Sequence, residues 1–168
     1  VEVEHGRITW IGSEASHPKS HVHSDDINGQ GFTLVPGLID CHEHFTSDGG
    51  PGNAAILASD PPEVATLKAV GNAKRALLSG VTSARDVGSR NGINIPFAQS
   101  VAAGGVMGPR ILAAGEWLAF PGTWGPFVRT LYSLEEMVLA IQDQVQRGAG
   151  LIKVGSTGFT ELGEQFPT

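Results

Sequence analysis

Val35-Pro-Gly-Leu-Ile-Asp-Cys-His-Glu-His-Phe45 is the stretch from which the rest of the chain is read. Pro36-Gly37 bends the backbone into an apolar run, and that run ends in two histidines, His42 and His44. Residues two apart on a strand project from one face, so the spacing presents two ring nitrogens side by side to one cation. Zinc takes histidine nitrogen at about 2.0–2.1 Å, and neutral imidazole is its common partner. Taken alone, His-x-His is a weak pattern, met more often as two surface or turn histidines. The chain carries its own comparison: His21 and His23 have the same spacing between Ser20 and Ser24, but no apolar strand precedes them, and they read as solvated loop residues.

Outward from this stretch, strands alternate with helices from Thr33 onward, the signature of βα units and a parallel sheet. The first strand is expected over Leu34 to His42. Asp60-Pro61-Pro62-Glu63 then predicts a capped helix start, with Val64, Leu67, Val70 and Leu77 as its apolar stripe before Gly80. A second strand is expected over Val81 to Val87, a short helix near Pro96 to Ala103, and a third strand over Arg110 to Ala114. After a Gly/Pro-rich loop, Ser133-Leu-Glu-Glu136 predicts a capping box, and Leu134, Met137, Ile141 and Val145 keep helical spacing up to Gly148. A fourth strand is expected over Leu151 to Val154, and Gly155 to Thr168 has turn composition.

Four such strands are half of a TIM (β/α)8 barrel, whose usual size is about 250 residues. Residues 34–168 therefore read as the first half of a barrel, with a complete four-stranded doubly wound domain as the alternative. In a barrel, His42 and His44 sit at the carboxyl ends of the strands, where the chemistry is placed. Residues 1–33 read as a small all-β segment: Val1 to Glu4, Arg7 to Ile11 and Asp26 to Ile27, with turns at His5-Gly6 and Asn28-Gly29. The chain opens without an initiator methionine and ends without a closing element, so it is expected to be a portion of a longer polypeptide.

Composition narrows the function classes. With 40% hydrophobic residues, 17 acidic against 11 basic side chains and a net charge of -6, the chain has no basic footprint for nucleic acid or an anionic membrane surface. No apolar stretch approaches the roughly 20 residues that span a bilayer. A small molecule is the expected partner. Cys41 is the single cysteine, which excludes an internal disulfide and fits a reducing compartment such as the cytoplasm.

Lys153 is the second unusual residue, a long cation inside Leu151-Ile152-Lys153-Val154. It either ends its strand and reaches solvent, or is desolvated so that its neutral amine reacts with carbon dioxide to give an anionic carbamate that bridges two metal ions. Asp40, two before His42, is expected on the same side of its strand, as a metal neighbour or a structural acceptor. Arg85 and Asp86 read either as a catalytic pair or, preferentially, as an ion pair tying strands together at the rim. The Gly49-Gly-Pro-Gly52 stretch lacks a phosphate-binding fingerprint and reads as an active-site loop.

Together, Val35-Pro-Gly-Leu-Ile-Asp-Cys-His-Glu-His, Gly80-Val-Thr-Ser-Ala-Arg-Asp-Val-Gly88, Gly108-Pro-Arg-Ile-Leu-Ala-Ala-Gly115 and Gly148-Ala-Gly-Leu-Ile-Lys-Val-Gly155 resemble the amidohydrolase superfamily in order and spacing, most closely its imidazolonepropionase-like, prolidase-type branch. The resemblance implies that residues 1–33 are part of a small β-sandwich. It implies that His42 and His44 bind the more buried of two divalent ions, zinc, and that carboxylated Lys153 bridges the pair. Two further histidines and a proton-carrying aspartate would come from strands beyond this chain. The implied reaction is hydrolysis of an amide C–N bond, as in dipeptides or N-acyl amino acids, by an enzyme compatible with homo-oligomeric assembly. Where related enzymes carry a Gly-Gly-His-Gly-type turn, this chain has Phe120-Pro-Gly-Thr-Trp-Gly-Pro-Phe127, with Trp124 near the histidine position. Trp124 and Phe127 either line a substrate pocket or pack down the loop. Two other readings stand beside this one: a single-metal deaminase or cyclic-amide hydrolase that does not use Lys153, and an incomplete portion inert by itself.

Overall fold

The computed structural model describes residues 1–17, 25–50, 59–122, 125–159 and 165–167. Two compact units are present, residues 1–35 and 36–168. In the first, β1 (Glu2–Glu4) and β2 (Arg7–Trp10) pair antiparallel. His5 and Gly6 between them have φ of 51° and 73°. Two left-handed residues are what a tight turn needs to match the strands' right-handed twist. The strand expected at Asp26 to Ile27 is absent.

The second unit is an α/β structure built on parallel strands. β3 (Leu38–Glu43), β4 (Val81–Asp86) and β5 (Arg110–Ala113) lie side by side in that order. A second sheet orders β7 (Arg129–Thr130), β6 (Trp117–Ala119) and β8 (Lys153–Gly155), all parallel. β3 starts four residues later than expected, because Pro36 has no N–H to offer and the first ladder bond runs from Leu38 N–H to Gly80 O at 2.9 Å.

β5 and β6 are consecutive pieces of one path bent at Gly115, whose φ is 79°. Before the bend Ala114 N–H still donates to Asp86 O of β4 at 2.9 Å; after it, Trp117 pairs with Lys153 of β8. The stretch read from sequence as the start of a loop is thus a strand. Residues 155 to 168, expected to be turns, contain β9 (Thr157–Phe159) and β10 (Gln165–Pro167), an antiparallel pair.

Three helices cover one face of these strands: α1 (Pro62–Leu78), α2 (Asn94–Ala102) and α3 (Leu134–Arg147). α1 buries Ala65, Ala69 and Ala73, four residues apart, while Leu67 of the expected stripe is 72% exposed. Alanine at the seam lets the helix backbone approach the sheet closely. Asn72 completes the docking by donating to Phe45 O at 2.7 Å and Ser47 O at 2.8 Å. Phe45, Ala69, Ala73, Ala84 and Phe97 form the core beneath. The expected cap at Asp60 is not made: Pro61 holds the cap position, and Asp60 pairs with Lys68 at 2.7 Å.

α3 begins as expected, with Ser133 accepting Glu136 N–H at 3.1 Å, and ends at Gly148 with φ of 103°. The Glu136 carboxylate, however, accepts Tyr132 N–H at 2.7 Å, one residue before the cap. The buried face is Met137, Ala140 and Gln144, whereas Leu134 and Val145 are exposed. Leu118, Leu131, Met137 and Ala140 make a second core cluster. Among the described residues no helix is long and apolar enough to cross a membrane.

Candidate functional site

The face opposite the helices carries some of the polar side chains singled out in the sequence. Along β4 and β5, Ser83 pairs with Arg110 and Arg85 with Leu112 on this open face, while Ala84, Asp86, Ile111 and Ala113 lie on the helix side. β3 joins this pattern through an irregularity. Asp40 pairs with Ala84 and Glu43 with Asp86, so three steps of β3 match two of β4. One extra residue in a strand is a bulge, and it re-aims the side chains beyond it. Asp40 and Glu43 consequently share the helix side, contrary to the expectation that Asp40 would flank the His42 ring. Asp40 instead accepts the backbone N–H of His42 at 2.9 Å, and Glu43, raised above the usual carboxylate range by burial, lies against it.

His42 and His44 are brought together as the two-residue spacing requires, ring centroids 5.4 Å apart and edge to face. His44 Nδ1 lies 2.8 Å from Gly88 O. A carbonyl oxygen only accepts, so Nδ1 carries the proton and Nε2 keeps its lone pair. Desolvation is the largest influence on both imidazoles and lowers both pKa values; the charge of Lys153 lowers both further. At neutral pH both rings are therefore neutral, the form in which histidine binds a cation.

Lys153 reaches the same place from β8. Its Nζ stands 4.5 Å from the centroid of the Trp117 ring, and the other side of the arrangement is His44, stacked on Trp117 at 5.7 Å and 15°. Burial and the neighbouring Arg85 hold the lysine pKa below its ordinary value. Trp117 thus joins His44 to Lys153, and it was not singled out from the sequence. The usable signal was Trp117-Leu-Ala-Phe120, a short apolar run two residues after Gly115. Trp124, the expected substrate contact, lies outside the described residues. Phe127 from the same loop packs on Trp117 with centroids 5.7 Å apart.

The expected Arg85–Asp86 ion pair is not formed, because neighbours on a strand point to opposite faces. Asp86 is wholly buried on the helix side. It accepts Asn94 Nδ2 at 2.8 Å, Gly88 N–H at 3.2 Å and Phe45 N–H at 3.2 Å. Burial outweighs those three donors and pushes its carboxyl up to about 6. Among the described residues no group of three or more His, Cys, Asp and Glu side chains converges as a metal cage.

Parallel strands with helices on one face, and on the other two neutral imidazoles at the carboxyl end of β3 with a lysine amine from the first residue of β8, define an α/β scaffold with a nitrogen-donor cluster. The chain belongs to the amidohydrolase family, whose pattern matches residues 33–168. It is 31% identical over 179 residues to the ochratoxinase of Aspergillus niger, an alignment covering 90% of this chain and 36% of that protein. A shorter match, 45% over 49 residues, is to the imidazolonepropionase of Aromatoleum aromaticum and covers 29% of this chain and 12% of that one. Among solved structures, a prolidase complexed with N-methylphosphonate-L-proline superposes with a TM-score of 0.73 at 27% identity, over 85% of this chain and 38% of that one. The chain thus spans little more than a third of the ochratoxinase and of the prolidase, and the expected superfamily and branch are the ones found.

Proposed function

We propose that the protein is part of a metal-dependent amidohydrolase that cleaves an amide C–N bond in a dipeptide or N-acyl amino acid. In this reading residues 34–168 supply the first four βα units of a TIM barrel, and residues 1–33 part of a small β-sandwich. The observation that carries it is the hydrogen bond from His44 Nδ1 to Gly88 O, which leaves Nε2 free to ligate beside His42. A backbone carbonyl behind a ligating histidine is the usual means of fixing the metal-binding tautomer.

The donor set fits zinc: two neutral imidazoles, plus a lysine that becomes an oxygen donor when carboxylated. His42 and His44 would hold one ion, and Lys153 would bridge to a second after its neutral amine adds to carbon dioxide, releasing a proton and forming the carbamate. When bound, such ions activate water and polarise the scissile carbonyl. The chain's own part is to keep both imidazoles unprotonated by desolvation, to hold the lysine amine below its ordinary pKa, and to screen one side of the cluster with Trp117 and Phe127. The likeness to a prolidase whose complex contains a proline derivative supports the substrate class.

Metal analysis after dialysis tests the reading. Two ions per chain are expected in the protein, fewer in His44→Ala, and one fewer in Lys153→Ala. Metal content unchanged in His42→Ala and His44→Ala would overturn it. One observation favours a second reading, a single-metal deaminase or cyclic-amide hydrolase: Lys153 Nζ rests on the Trp117 ring, as a cation does. That reading requires Lys153→Ala to keep both metal content and activity.

A further inference from the structure

Asp86 has no part in the reaction just described, yet it is a wholly buried carboxylate one strand away from the histidine pair. Its three bonds go to different parts of the chain. Oδ2 accepts the N–H of Phe45, the residue directly after His44, at 3.2 Å. Oδ1 accepts the N–H of Gly88 at 3.2 Å, and the carbonyl of that same glycine receives the Nδ1 proton of His44 at 2.8 Å. Oδ1 also takes Asn94 Nδ2 at 2.8 Å, and Asn94 N–H in turn donates to Ser89 Oγ at 2.9 Å. One carboxylate therefore holds both ends of the His44 contact: the backbone that carries the ring and the peptide that accepts its proton.

The surroundings leave this contact little freedom. Val87 N–H donates to Glu43 O and Ser89 N–H to Gly115 O, each at 2.9 Å, which pins the residues on either side of Gly88. Gly88 itself has φ of 135°, and a Cβ there would stand 3.2 Å from Cβ of Trp117. The Gly88 peptide is thus wedged between His44 and Trp117, and Asp86 sets its position from behind.

We propose that Asp86 is a positioning residue for His44: by clamping the Gly88 peptide and Phe45 N–H it fixes the His44 ring with its proton on Nδ1 and its lone pair on Nε2. The clamp rests on the reading of His44 as a ligand only for its purpose; its geometry stands without it. Asparagine at 86 cannot replace it. Three donors converge on two oxygens that only accept, whereas an amide offers one oxygen and turns an NH2 group toward the remaining donors.

The test is the His44 tautomer in the metal-free protein, read from long-range proton–nitrogen NMR correlations of the imidazole and assigned by their loss in His44→Ala. The protein is expected to show Nδ1–H alone. Asp86→Asn is expected to move His44 toward Nε2–H and to weaken zinc binding by about 10–100-fold, the range for removing support behind a metal ligand. Asn94→Ala removes one of the three donors and is expected to shift the tautomer in the same direction by less; it decides the matter if Asp86→Asn does not fold. Phe97→Leu, a core change in the same unit, is expected to lower the melting temperature with the tautomer intact. If His44 keeps Nδ1–H in Asp86→Asn and Asn94→Ala while their stability falls, Asp86 is structural only and the proposal is wrong. Zinc affinity unchanged in His44→Ala would instead sink the metal reading, leaving the tautomer result to judge the clamp.

Discussion

Replacing Gly115 by alanine probes the bend on which the site's geometry depends. Gly115 has φ of 79°, and a Cβ there would collide with Oε1 of Gln144, stand 2.8 Å from its Cδ and 3.1 Å from Cδ1 of Ile95. Gln144 is wholly buried, and its Oε1 accepts the N–H of Glu116. Alanine must displace that side chain and leave a part-buried N–H without its acceptor, a loss of about 1–3 kcal/mol. The left-handed backbone adds about 1 kcal/mol, partly offset by the lower entropy of the unfolded chain. Gly104 supplies the control, because its φ is 77° and nothing lies within 4 Å of a Cβ there. Gly104→Ala is therefore expected to cost about 1 kcal/mol or less, and Gly115→Ala about 2–4 kcal/mol. Urea unfolding followed by circular dichroism measures both. Equal losses would show that Gln144 yields freely and that the bend is not locked from the helix side. If the reasoning holds, Gly115→Ala also alters the tryptophan fluorescence, because β6 carries Trp117 directly beyond the bend.

Stability should depend on pH through Asp86. Its carboxyl sits at about 6 in the folded protein against an ordinary 3.8, so the folded state keeps a proton that the unfolded chain releases. The contribution is complete below about pH 4 and is lost as pH rises through about 6, by about 3 kcal/mol for a gap of about two pH units. Urea midpoints from pH 4 to 7 should fall in the protein and lose that slope in Asp86→Asn; a flat profile in both would refute the assignment. Ser133→Ala removes the cap of α3 and should cost about 1 kcal/mol in urea unfolding, and an unchanged midpoint would show the cap to be idle. A double-mutant cycle of Trp117→Leu and Lys153→Met should give a coupling of about 0.5–2 kcal/mol; independent effects would mean that the ammonium does not rest on the ring.

What the sequence revealed of this architecture follows from how local each determinant is. The histidine pair and Lys153 were legible because both depend on strand periodicity and on a polar residue standing in an apolar run, which are properties of a few consecutive residues. The helix faces were legible in part: Val70, Met137 and Ile141 of the expected stripes pack on the cores, whereas other stripe residues do not. A reading weighted by hydrophobicity chose Leu67 and Val64, whereas the sheet selects for close approach and buries Ala65, Ala69 and Ala73. Asp40 was placed beside His42 by strict alternation, which the bulge in β3 breaks, and a bulge has no mark in the sequence of the strand that carries it.

The remaining parts of the site depend on contacts between distant residues. Trp117 joins His44 to Lys153 only because the path after β5 turns at Gly115 and changes its partner from β4 to β8. Within the chain's local pattern that glycine looks like the end of a strand. Asp86 looked like one half of an ion pair with its neighbour, yet its donors come from residues 2, 8 and 41 positions away. The same long reach gives it influence: a group bonded only to its neighbours could steady its own strand, while one that holds Phe45 and Gly88 at once can set a ring carried on a different strand. A histidine motif on β3 is thus only as well aimed as the buried carboxylate on β4 makes it.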